Sequence, residues 1–319
     1  MPGKLVVMIP AYNEESTIGL VISSIPKKIA NVGEVKVLVI NDGSSDRTVE
    51  EAKRAGADRI ISFPTNRGLG VAFKAGIEEA LRIGAEVIVN IDADGQFDSK
   101  DIARLAQPIL KGEADVVTCS RFKDRGLEPK MPFVKKFGNS LFTAIINFLT
   151  GQRFSDTQCG FRAYSREAAL HMTLFGKFTY TQEVFLNLVQ KGFTITEVAC
   201  NVKGERVGKS KIVKHWYSYG VKALMIVIRT VRDYRPLQFF GSIGLALFLI
   251  GSASALVLFI RLLLFNVVSP YMWAVYADVV LIVLGFLLMI LALLADMSDR
   301  QRKIMEEILY RLKKQELEN

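Results

Sequence analysis

Two aspartates and a glutamine follow an apolar run in the first third of the chain. Asp92, Asp94 and Gln96 come directly after the run 87–91. Residues two apart in an extended segment point to the same side, so these oxygens can converge on one hard divalent cation such as Mg²⁺ or Mn²⁺. Such a cation would most naturally hold a diphosphate. Aspartate and glycine are also ordinary turn residues, so this segment by itself fits a solvated strand-to-turn junction equally well.

Three further polar segments follow apolar runs nearer the N-terminus. After the first run, Tyr12 could stack on a base and Glu14 could accept hydrogen bonds from a base or a ribose. After the second, Asp42 is placed like a nucleoside-binding acid. After the third, the glycines of 66–70 permit close backbone approach, and the next helix offers an anion site at its N-terminus. Turn and cap chemistry explains any one segment, but their joint order and spacing with the carboxylates are specific.

Side chains from four separate segments can meet only if one sheet brings the ends of its strands together. Strand and helix signals alternate through the first two hundred residues. The predicted strands are 5–9, 35–40, 59–62, 87–91 and 116–118, and the predicted helices are 16–25, 46–55, 70–83 and 99–111, with N-caps at Ser16, Asp46 and Ser99. Nearly continuous apolar strands indicate an α/β fold with parallel strands covered on both faces. Ligands of such sheets bind beyond the carboxyl ends of the strands, where the polar residues lie.

The C-terminal part of the chain is more apolar than the rest. Hydrophobic residues make up 50% of the 319 residues and the mean hydropathy is +0.26, which is high for a wholly soluble protein. No charged residue occurs in 237–260, which as a helix spans roughly 35 Å and exceeds a bilayer core of about 30 Å. A second apolar run, 271–295, contains a single charged residue, Asp278. The two runs predict a transmembrane hairpin, and a buried hairpin of a soluble protein is the alternative.

Basic residues lie on both outer sides of this hairpin, and the connecting loop, around 266–270, has none. They are Arg229, Arg232 and Arg235 before it and Arg300, Arg302 and Lys303 after it. The positive-inside rule places both sides in the cytoplasm, at the cell membrane. We therefore expect the following domains: a catalytic domain over 1–210, a juxtamembrane amphipathic helical segment over 211–235, two transmembrane helices over 236–296 and a cytoplasmic helix over 297–319.

The net charge of +9 is concentrated in two stretches, 121–136 and 203–235. Basic residues beside a membrane hairpin more often meet anionic lipid headgroups or phosphates than nucleic acid, so membrane lipids are expected partners and nucleic acid is not. Cys119, Cys159 and Cys200 have neither paired nor metal-ligand spacing. That spacing indicates a reducing compartment and thiols that serve in packing.

The ordered polar segments resemble the GT-A (Rossmann-like) fold of family 2 inverting glycosyltransferases. They are 10–15 (PAYNEE), 41–46 (NDGSSD), 66–70 (NRGLG) and 92–96 (DADGQ). Three later segments are similar to those of polyprenyl-phosphate glycosyltransferases of the dolichyl-phosphate mannose synthase type: 120–122 (SRF), 156–162 (DTQCGFR) and 208–211 (GKSK). The resemblance covers roughly 4–235, and the hairpin resembles that of two-span members.

This resemblance implies a nucleotide-sugar site and a metal site. The nucleotide sugar would lie near Pro10, Tyr12, Glu14, Asp42 and Asp92, and the Mg²⁺ or Mn²⁺ would be held by Asp92, Asp94 and Gln96. Asp94 and Gln96 are the expected direct ligands, since Asp92 can act partly through the nucleotide or water. Arg206 and Lys211 would neutralise the donor diphosphate, which stabilises the leaving group electrostatically. A solvated basic face is the alternative for these two cations.

A lipid-phosphate acceptor would explain why no general base stands out. A phosphate is already anionic at neutral pH and can attack the anomeric carbon directly, and neither His171 nor His215 falls in a motif. Cations must instead bring two anions together. The expected acceptor-phosphate residues are Arg121, first, with Lys135, Lys136, Asn139 and Ser140. Mannose synthases usually offer a second arginine in this region; the lysines here supply a point charge without a bidentate fork.

We therefore predict inverting transfer of a hexose from UDP-glucose, UDP-N-acetylglucosamine or GDP-mannose to polyprenyl or dolichyl phosphate at the cytoplasmic membrane face. The two-span architecture favours a UDP-sugar, and exposed membrane helices favour a homo-oligomer. A processive polysaccharide glycosyltransferase is the first alternative, but its QxxRW motif is missing around Trp216. A non-catalytic membrane subunit is the second, and it would not need the carboxylates and cations together. Neither a GxGTR-type nor a GxGxxG loop follows the first strand, which disfavours nucleotidyltransferases and NAD-dependent oxidoreductases.

Overall fold

The computed structural model describes residues 3–124, 133–173, 180–200, 235–266 and 271–318, together with Val202 and Arg232; for 133–135, 180 and 182 it describes the backbone only. The chain divides into two compact units. One comprises Met1–Lys214 and Leu309–Asn319, and the other comprises His215–Ile308. The expected juxtamembrane helix lies outside the described residues, apart from Arg232 and Arg235.

A seven-stranded sheet is the frame of the first unit. Its strands in chain order are β1 (Gly3–Ala11), β2 (Val32–Asn41), β3 (Arg59–Ser62), β4 (Ala85–Asn90), β5 (Val116–Ser120), β6 (Arg162–Ser165) and β7 (Ile195–Ala199). In space the order is β3-β2-β1-β4-β6-β5-β7. Neighbours among β1 to β4 are parallel, as are β5 and β7, whereas β6 is antiparallel to both of its neighbours.

Helices cover the sheet and extend beyond it. In chain order they are α1 (Ile18–Ser24), α2 (Thr48–Arg54), α3 (Leu69–Arg82), α4 (Asp101–Leu110), α5 (Phe133–Thr150), α6 (Arg166–His171), α7 (Tyr180–Gln190), α8 (Pro236–Phe265) and α9 (Met272–Glu318). The strands and helices predicted within the first 120 residues are confirmed, with ends that shift by up to three residues. The predicted caps at Ser16, Asp46 and Ser99 are wrong, because α1, α2 and α4 begin without a side-chain hydrogen bond from the N-cap residue. Asp46 lies one residue before the N-cap of α2, and its Oδ1 accepts from the Thr48 N–H at 3.1 Å.

The five predicted strands, β1 to β5, run in the same direction as expected, whereas β6, which was not predicted, runs antiparallel between β4 and β5. Its first residue, Arg162, pairs with Asn90 near the end of β4 and with Thr118 near the end of β5. β5 ends at Ser120 on that edge and β6 begins there, and an antiparallel strand needs no crossover to the opposite edge. The connection 121–161, which includes α5, therefore starts and ends at the edge where ligands are expected.

Apolar side chains fill both faces of the sheet. Val7 and Ile9 point into one core with α1 and α4, whereas Met8 and Ile40 pack with Phe73 of α3 in the other. Successive residues of a strand face opposite sides, so a strand buried on both faces must be apolar throughout. Burying one such large side chain stabilises the fold by about 1.5–3 kcal/mol.

The three cysteines are buried free thiols in the core shared with α1 and α4. Burial, together with contacts to Cys159 and Cys200, raises the pKa of the Cys119 thiol above its usual range. A raised pKa keeps a thiol protonated and therefore poorly nucleophilic. The predicted packing role is confirmed.

The end of α9 packs within the first unit. The Tyr310 ring stacks on His171 with centroids 3.8 Å apart, and the Tyr310 hydroxyl donates to Glu167 Oε1 at 2.7 Å. Leu317 packs against the core that contains Phe73. The predicted C-terminal helix thus exists, as the uninterrupted continuation of α9 rather than as a separate element.

Two long apolar helices, α8 and most of α9, make up the second unit among the described residues. Small residues let them approach closely: a Cβ on Gly244 would lie 2.8 Å from the Gly285 carbonyl oxygen. By length and composition both could cross a membrane, and only 11% and 17% of their most apolar stretches is buried. Such exposure is opposite to that of a soluble core helix, in agreement with the predicted hairpin.

Candidate active site

The loops after β1 and β2 are tied to each other at the carboxyl edge of the sheet. Asn13 takes a left-handed backbone conformation with φ +54°, which its short amide tolerates. Its Oδ1 accepts from the Ser45 N–H at 2.8 Å, and its own N–H donates to Ser44 Oγ at 3.0 Å. The Glu14 N–H donates to Thr48 Oγ1 at 2.8 Å. These contacts fix the backbone around Pro10, Tyr12 and Glu14, three of the predicted nucleotide-sugar residues.

Asp42 holds the loop that leads into α3. It is 4% exposed, and its two carboxylate oxygens accept from the N–H groups of Arg67 at 2.8 Å and Gly68 at 3.0 Å. At the neighbouring Gly43 an added Cβ would lie 2.4 Å from the Thr65 carbonyl carbon, so the two loops touch. The structure thus gives Asp42 an ordering contact that the sequence did not reveal. Its contact with a nucleoside stays a prediction.

The predicted metal ligands follow β4 on a tight turn. Asp92, Asp94 and Gln96 are all half-buried, and Asp94 Oδ1 accepts from the Gln96 N–H at 3.1 Å. Gly95 forms the turn with φ +71°. Within the described part of the chain, no three His, Cys, Asp or Glu side chains form a metal-binding group. The candidate set therefore stays two carboxylates and one amide oxygen.

Two contacts connect this turn with distant segments. The buried Asn90, at the end of β4, donates through Nδ2 to the Gly160 carbonyl oxygen at 2.8 Å. Phe97, next to Gln96, forms an isolated antiparallel bridge with Val202. The candidate metal residues therefore lie beside both the 156–162 segment and the residues that precede Arg206. Arg206 and Lys211 themselves lie outside the described residues.

Arg121 forms a bidentate ion pair with Asp156. Its Nε donates to Oδ2 at 2.6 Å and its Nη2 donates to Oδ1 at 3.0 Å. Asp156 is fully buried, whereas 22% of the Arg121 side chain is exposed. Burial disfavours the charge of Arg121, but the hydrogen bonds and the attraction of Asp156 outweigh it, so the pKa of the guanidinium lies above its usual value. Arg121 is therefore a permanent, fixed cation with one side open to solvent.

Glu197 of β7 is a residue that the motif search missed. Its carboxylate accepts from the N–H groups of Ser155 at 2.9 Å and Asp156 at 3.0 Å, and from Ser155 Oγ at 2.8 Å. The only signal in the sequence is an acid within the short strand ITEVA, which does not identify its distant partners. Arg162, the last residue of the segment 156–162, orders the chain beside β6. It is fully buried and donates to the carbonyl oxygens of Thr157 at 2.8 Å and Thr181 at 2.6 Å.

A cleft of about 330 Å³ lies between α5 and the segment before β6. The residues that line it are Phe122, Lys136, Asn139, Ser140, Thr143, Ala144, Asn147, Phe154 and Ser155. Three of the predicted acceptor-phosphate residues, Lys136, Asn139 and Ser140, are among them, beside Phe122, the neighbour of Arg121. Asn139 Oδ1 is buried and has no hydrogen-bond partner among the described residues. For Lys135 the structure describes the backbone only.

Comparison with known proteins identifies relatives of the chain. An uncharacterized protein from Methanocaldococcus jannaschii is 37% identical over 52% of this chain, and this match spans 66% of that relative. A UDP-N-acetylglucosamine–dolichyl-phosphate N-acetylglucosaminyltransferase from Methanococcus voltae is 34% identical over 53% of this chain and 72% of its own length. A dolichyl-phosphate hexose transferase from Haloferax volcanii is 33% identical, with 65% and 86% covered.

A solved structure shares the fold. Glucosyl-3-phosphoglycerate synthase from Mycobacterium tuberculosis, crystallised with Mn²⁺, UDP and phosphoglyceric acid, is 23% identical and gives a TM-score of 0.53 over 72% of this chain and 78% of that one. The predicted GT-A fold is confirmed as a GT-A-like mixed α/β sheet. The model of the family described as Glycosyl transferase family 2 matches residues 6–172, about half of the chain. The chain therefore belongs to glycosyl transferase family 2 and is a glycosyltransferase.

Proposed function

We propose that this glycosyltransferase transfers a hexose, with inversion, from a nucleotide sugar to a polyprenyl or dolichyl phosphate. One observation carries the proposal. Asn90, at the end of β4 just before the acidic turn, hydrogen-bonds to Gly160 in the segment 156–162, which also contains Asp156, the partner of Arg121. A metal-held diphosphate and an anionic acceptor would thus be neighbours. Relatives named for transfer to dolichyl phosphate support this acceptor.

The candidate metal site fits a hard divalent cation. Asp92, Asp94 and Gln96 offer only oxygen ligands, the donor set that Mg²⁺ and Mn²⁺ prefer. When bound, the cation would supply Lewis-acid stabilisation to the diphosphate. Arg206 and Lys211, which lie outside the described residues, would add positive charge to the same diphosphate, as the family motifs imply.

The acceptor side needs positive charge rather than a base. A lipid phosphate is an anion and a nucleophile at neutral pH, so Arg121, with Lys136 and the polar lining of the cleft, would bind and orient it. The ring of His171, one of the two histidines, stacks on Tyr310, and its Nδ1 forms a hydrogen bond with the Glu167 carbonyl oxygen. His171 therefore has a structural role. The lipid tail would lie towards the membrane. The two apolar helices support membrane attachment, and the flanking basic residues support a cytoplasmic catalytic unit.

A donor panel with one defined polyprenyl phosphate tests this function. UDP-glucose, UDP-N-acetylglucosamine and GDP-mannose are supplied in turn with Mg²⁺ or Mn²⁺, and the lipid-linked sugar is measured. We expect one UDP-sugar to be used preferentially and activity to disappear with a chelator. Asp94→Ala should lower the rate by about 10²-fold or more, as loss of a residue that stabilises developing charge does. Product formation that is independent of metal and unchanged in Asp94→Ala would contradict the metal assignment, and no lipid-linked product from any donor would contradict the acceptor.

A further inference from the structure

We infer that Glu197 is a positioning residue for the acceptor phosphate, an inference that rests on the function proposed above. Glu197 lies on the edge strand β7, where its Cα is paired with Thr118 of β5. Within the described part of the chain, Glu197 forms no hydrogen bond or ion pair with Arg121 itself. Its carboxylate reaches Arg121 through one intermediate, the loop that contains Ser155 and Asp156.

The first step of this connection is a carboxylate held by consecutive backbone N–H groups. Ser155 N lies 2.9 Å and 3.0 Å from the two Glu197 carboxylate oxygens, and Asp156 N lies 3.0 Å from Oε1. Ser155 Oγ adds a third donor at 2.8 Å and also lies 2.7 Å from Ser120 Oγ, next to Arg121. Successive N–H groups that point to one place form an anion cradle, which Glu197 fills. The carboxylate thereby fixes the backbone at the point where the Asp156 side chain starts.

The second step is the grip of Asp156 on Arg121. The buried Asp156 carboxylate accepts from Arg121 Nε, Nη2 and backbone N–H, the last at 3.2 Å, and from the Gln158 N–H at 3.1 Å. A bidentate pair fixes the plane of the guanidinium as well as its position. A movement of the Asp156 backbone would therefore rotate the side of Arg121 that faces solvent.

The charges of Arg121, Asp156 and Glu197 make it possible to distinguish a positioning role of Glu197 from a direct electrostatic effect on the acceptor phosphate. Asp156 already neutralises Arg121, so the additional negative charge of Glu197 by itself repels a phosphate. Lys123 Nζ compensates in part by donating to the Glu197 carbonyl oxygen at 2.5 Å. If Glu197 acted only through its charge, a neutral replacement would strengthen acceptor binding. If it acts by positioning, the same replacement weakens acceptor binding.

The experiment compares the full-length wild type with Glu197→Gln, Glu197→Ala and the control Asp115→Asn. Asp115 Oδ2 accepts from the Thr194 N–H at 2.9 Å, so the control removes a comparable contact at the opposite end of β5 and β7. Initial rates are measured with polyprenyl phosphate varied at saturating nucleotide sugar, and then with the two roles exchanged. Hydrogen exchange of the amides in 154–161, followed by mass spectrometry, reports the contact independently of activity.

We expect the KM for polyprenyl phosphate to rise about 10- to 100-fold in Glu197→Ala, the usual result of losing hydrogen bonds to a charged group. Glu197→Gln should show a smaller rise, because its amide keeps one acceptor oxygen. Exchange over 154–161 should accelerate in both variants, while the KM for the nucleotide sugar stays near that of wild type. Asp115→Asn should leave both KM values unchanged.

Three results would overturn the inference while wild type remains active: unchanged exchange in the Glu197 variants, faster exchange with an unchanged KM for the lipid, or a lower KM for the lipid in Glu197→Gln. An equal rise in both KM values would show general loss of structure rather than positioning. Absence of transfer to polyprenyl phosphate by wild type would instead refute the proposed function, and the inference with it.

Discussion

The donor side and the acceptor side of the candidate site are held in place by different kinds of contact. On the donor side, Asn13, Asp42 and Asp46 accept hydrogen bonds from backbone N–H groups of neighbouring loops. On the acceptor side, a buried ion pair between Arg121 and Asp156 is supported by a second carboxylate. Backbone hydrogen bonds tolerate loss of one partner at modest cost, whereas a buried ion pair does not. The acceptor side should therefore be the more fragile of the two.

The largest effect is expected from Asp156→Asn. The substitution leaves the guanidinium of Arg121 without its buried counter-charge, which should cost about 3 kcal/mol of unfolding free energy. The displaced guanidinium should also lower kcat/KM for the lipid phosphate by roughly 10²-fold, more than it affects the nucleotide sugar. Denaturant unfolding and initial rates measure the two effects.

Gly76→Ala is a matched control for the loss of stability in Asp156→Asn. An added Cβ would lie 2.2 Å from Met8 Sδ, which should overpack the core by about 1–3 kcal/mol. The rate per folded molecule should stay at that of wild type, since the side chains nearest the added Cβ are the core residues Met8 and Ile40 and not the predicted site residues. Equal loss of activity in both variants would attribute the effect of Asp156→Asn to stability alone.

Asp42→Asn is expected to have a smaller effect than Asp156→Asn and to weaken binding of the nucleotide sugar rather than of the lipid phosphate. The amide oxygen of asparagine can still accept from one of the two N–H groups of Arg67 and Gly68, but its NH₂ group then faces the second N–H group. The lost hydrogen bond should lower the free energy of unfolding by about 1–2 kcal/mol. The KM for the nucleotide sugar should rise by roughly tenfold, while the KM for the lipid phosphate changes little. A rise confined to the lipid would contradict the division into two sides.

The smallest effect is expected from Asp46→Asn. Burial opposes the charge of Asp46, but hydrogen bonds from Thr48 and Glu15 outweigh it, so its pKa in the folded protein lies below the ordinary value of 3.8. A carboxyl with a lowered folded pKa stabilises the protein above its unfolded pKa, and this contribution is lost as the pH falls through the folded pKa. The free energy of unfolding of wild type should therefore exceed that of Asp46→Asn by about 0.3–1 kcal/mol at pH 7, the contribution of a negative charge near the start of a helix. The Tm values of the two proteins should converge as the pH falls below 3.8, and a constant difference would contradict the pKa assignment.

The position of the donor-side residues could be predicted from the sequence because each lies in a polar segment next to a recognisable strand. Each polar segment directly follows an apolar strand, and the carboxyl ends of parallel strands share one edge, so Tyr12, Asp42 and Asp94 could be placed together without coordinates. The ordering role of Asp42 was missed, because its partners at Arg67 and Gly68 are 25 and 26 residues away.

The acceptor side could be predicted only in part. Motif resemblance selected Arg121, but its partner Asp156 lies 35 residues away and Glu197 is a further 41 residues along the chain. Hydrophobic periodicity contains no information on which distant carboxylate will meet which N–H group. Strand β6 was missed for a different reason: its four residues, RAYS, contain no apolar run that would mark a strand.

The antiparallel placement of β6 makes the enzyme modular. Because the stretch 121–161 leaves the sheet at Ser120 and re-enters it beside Asn90 on the same edge, its two attachment points stay fixed whatever its internal sequence. Replacement of this stretch during evolution could therefore change the acceptor of the transferase, while the strand order in the nucleotide half of the sheet stayed the same. Chimaeras between family members could use the same two junctions.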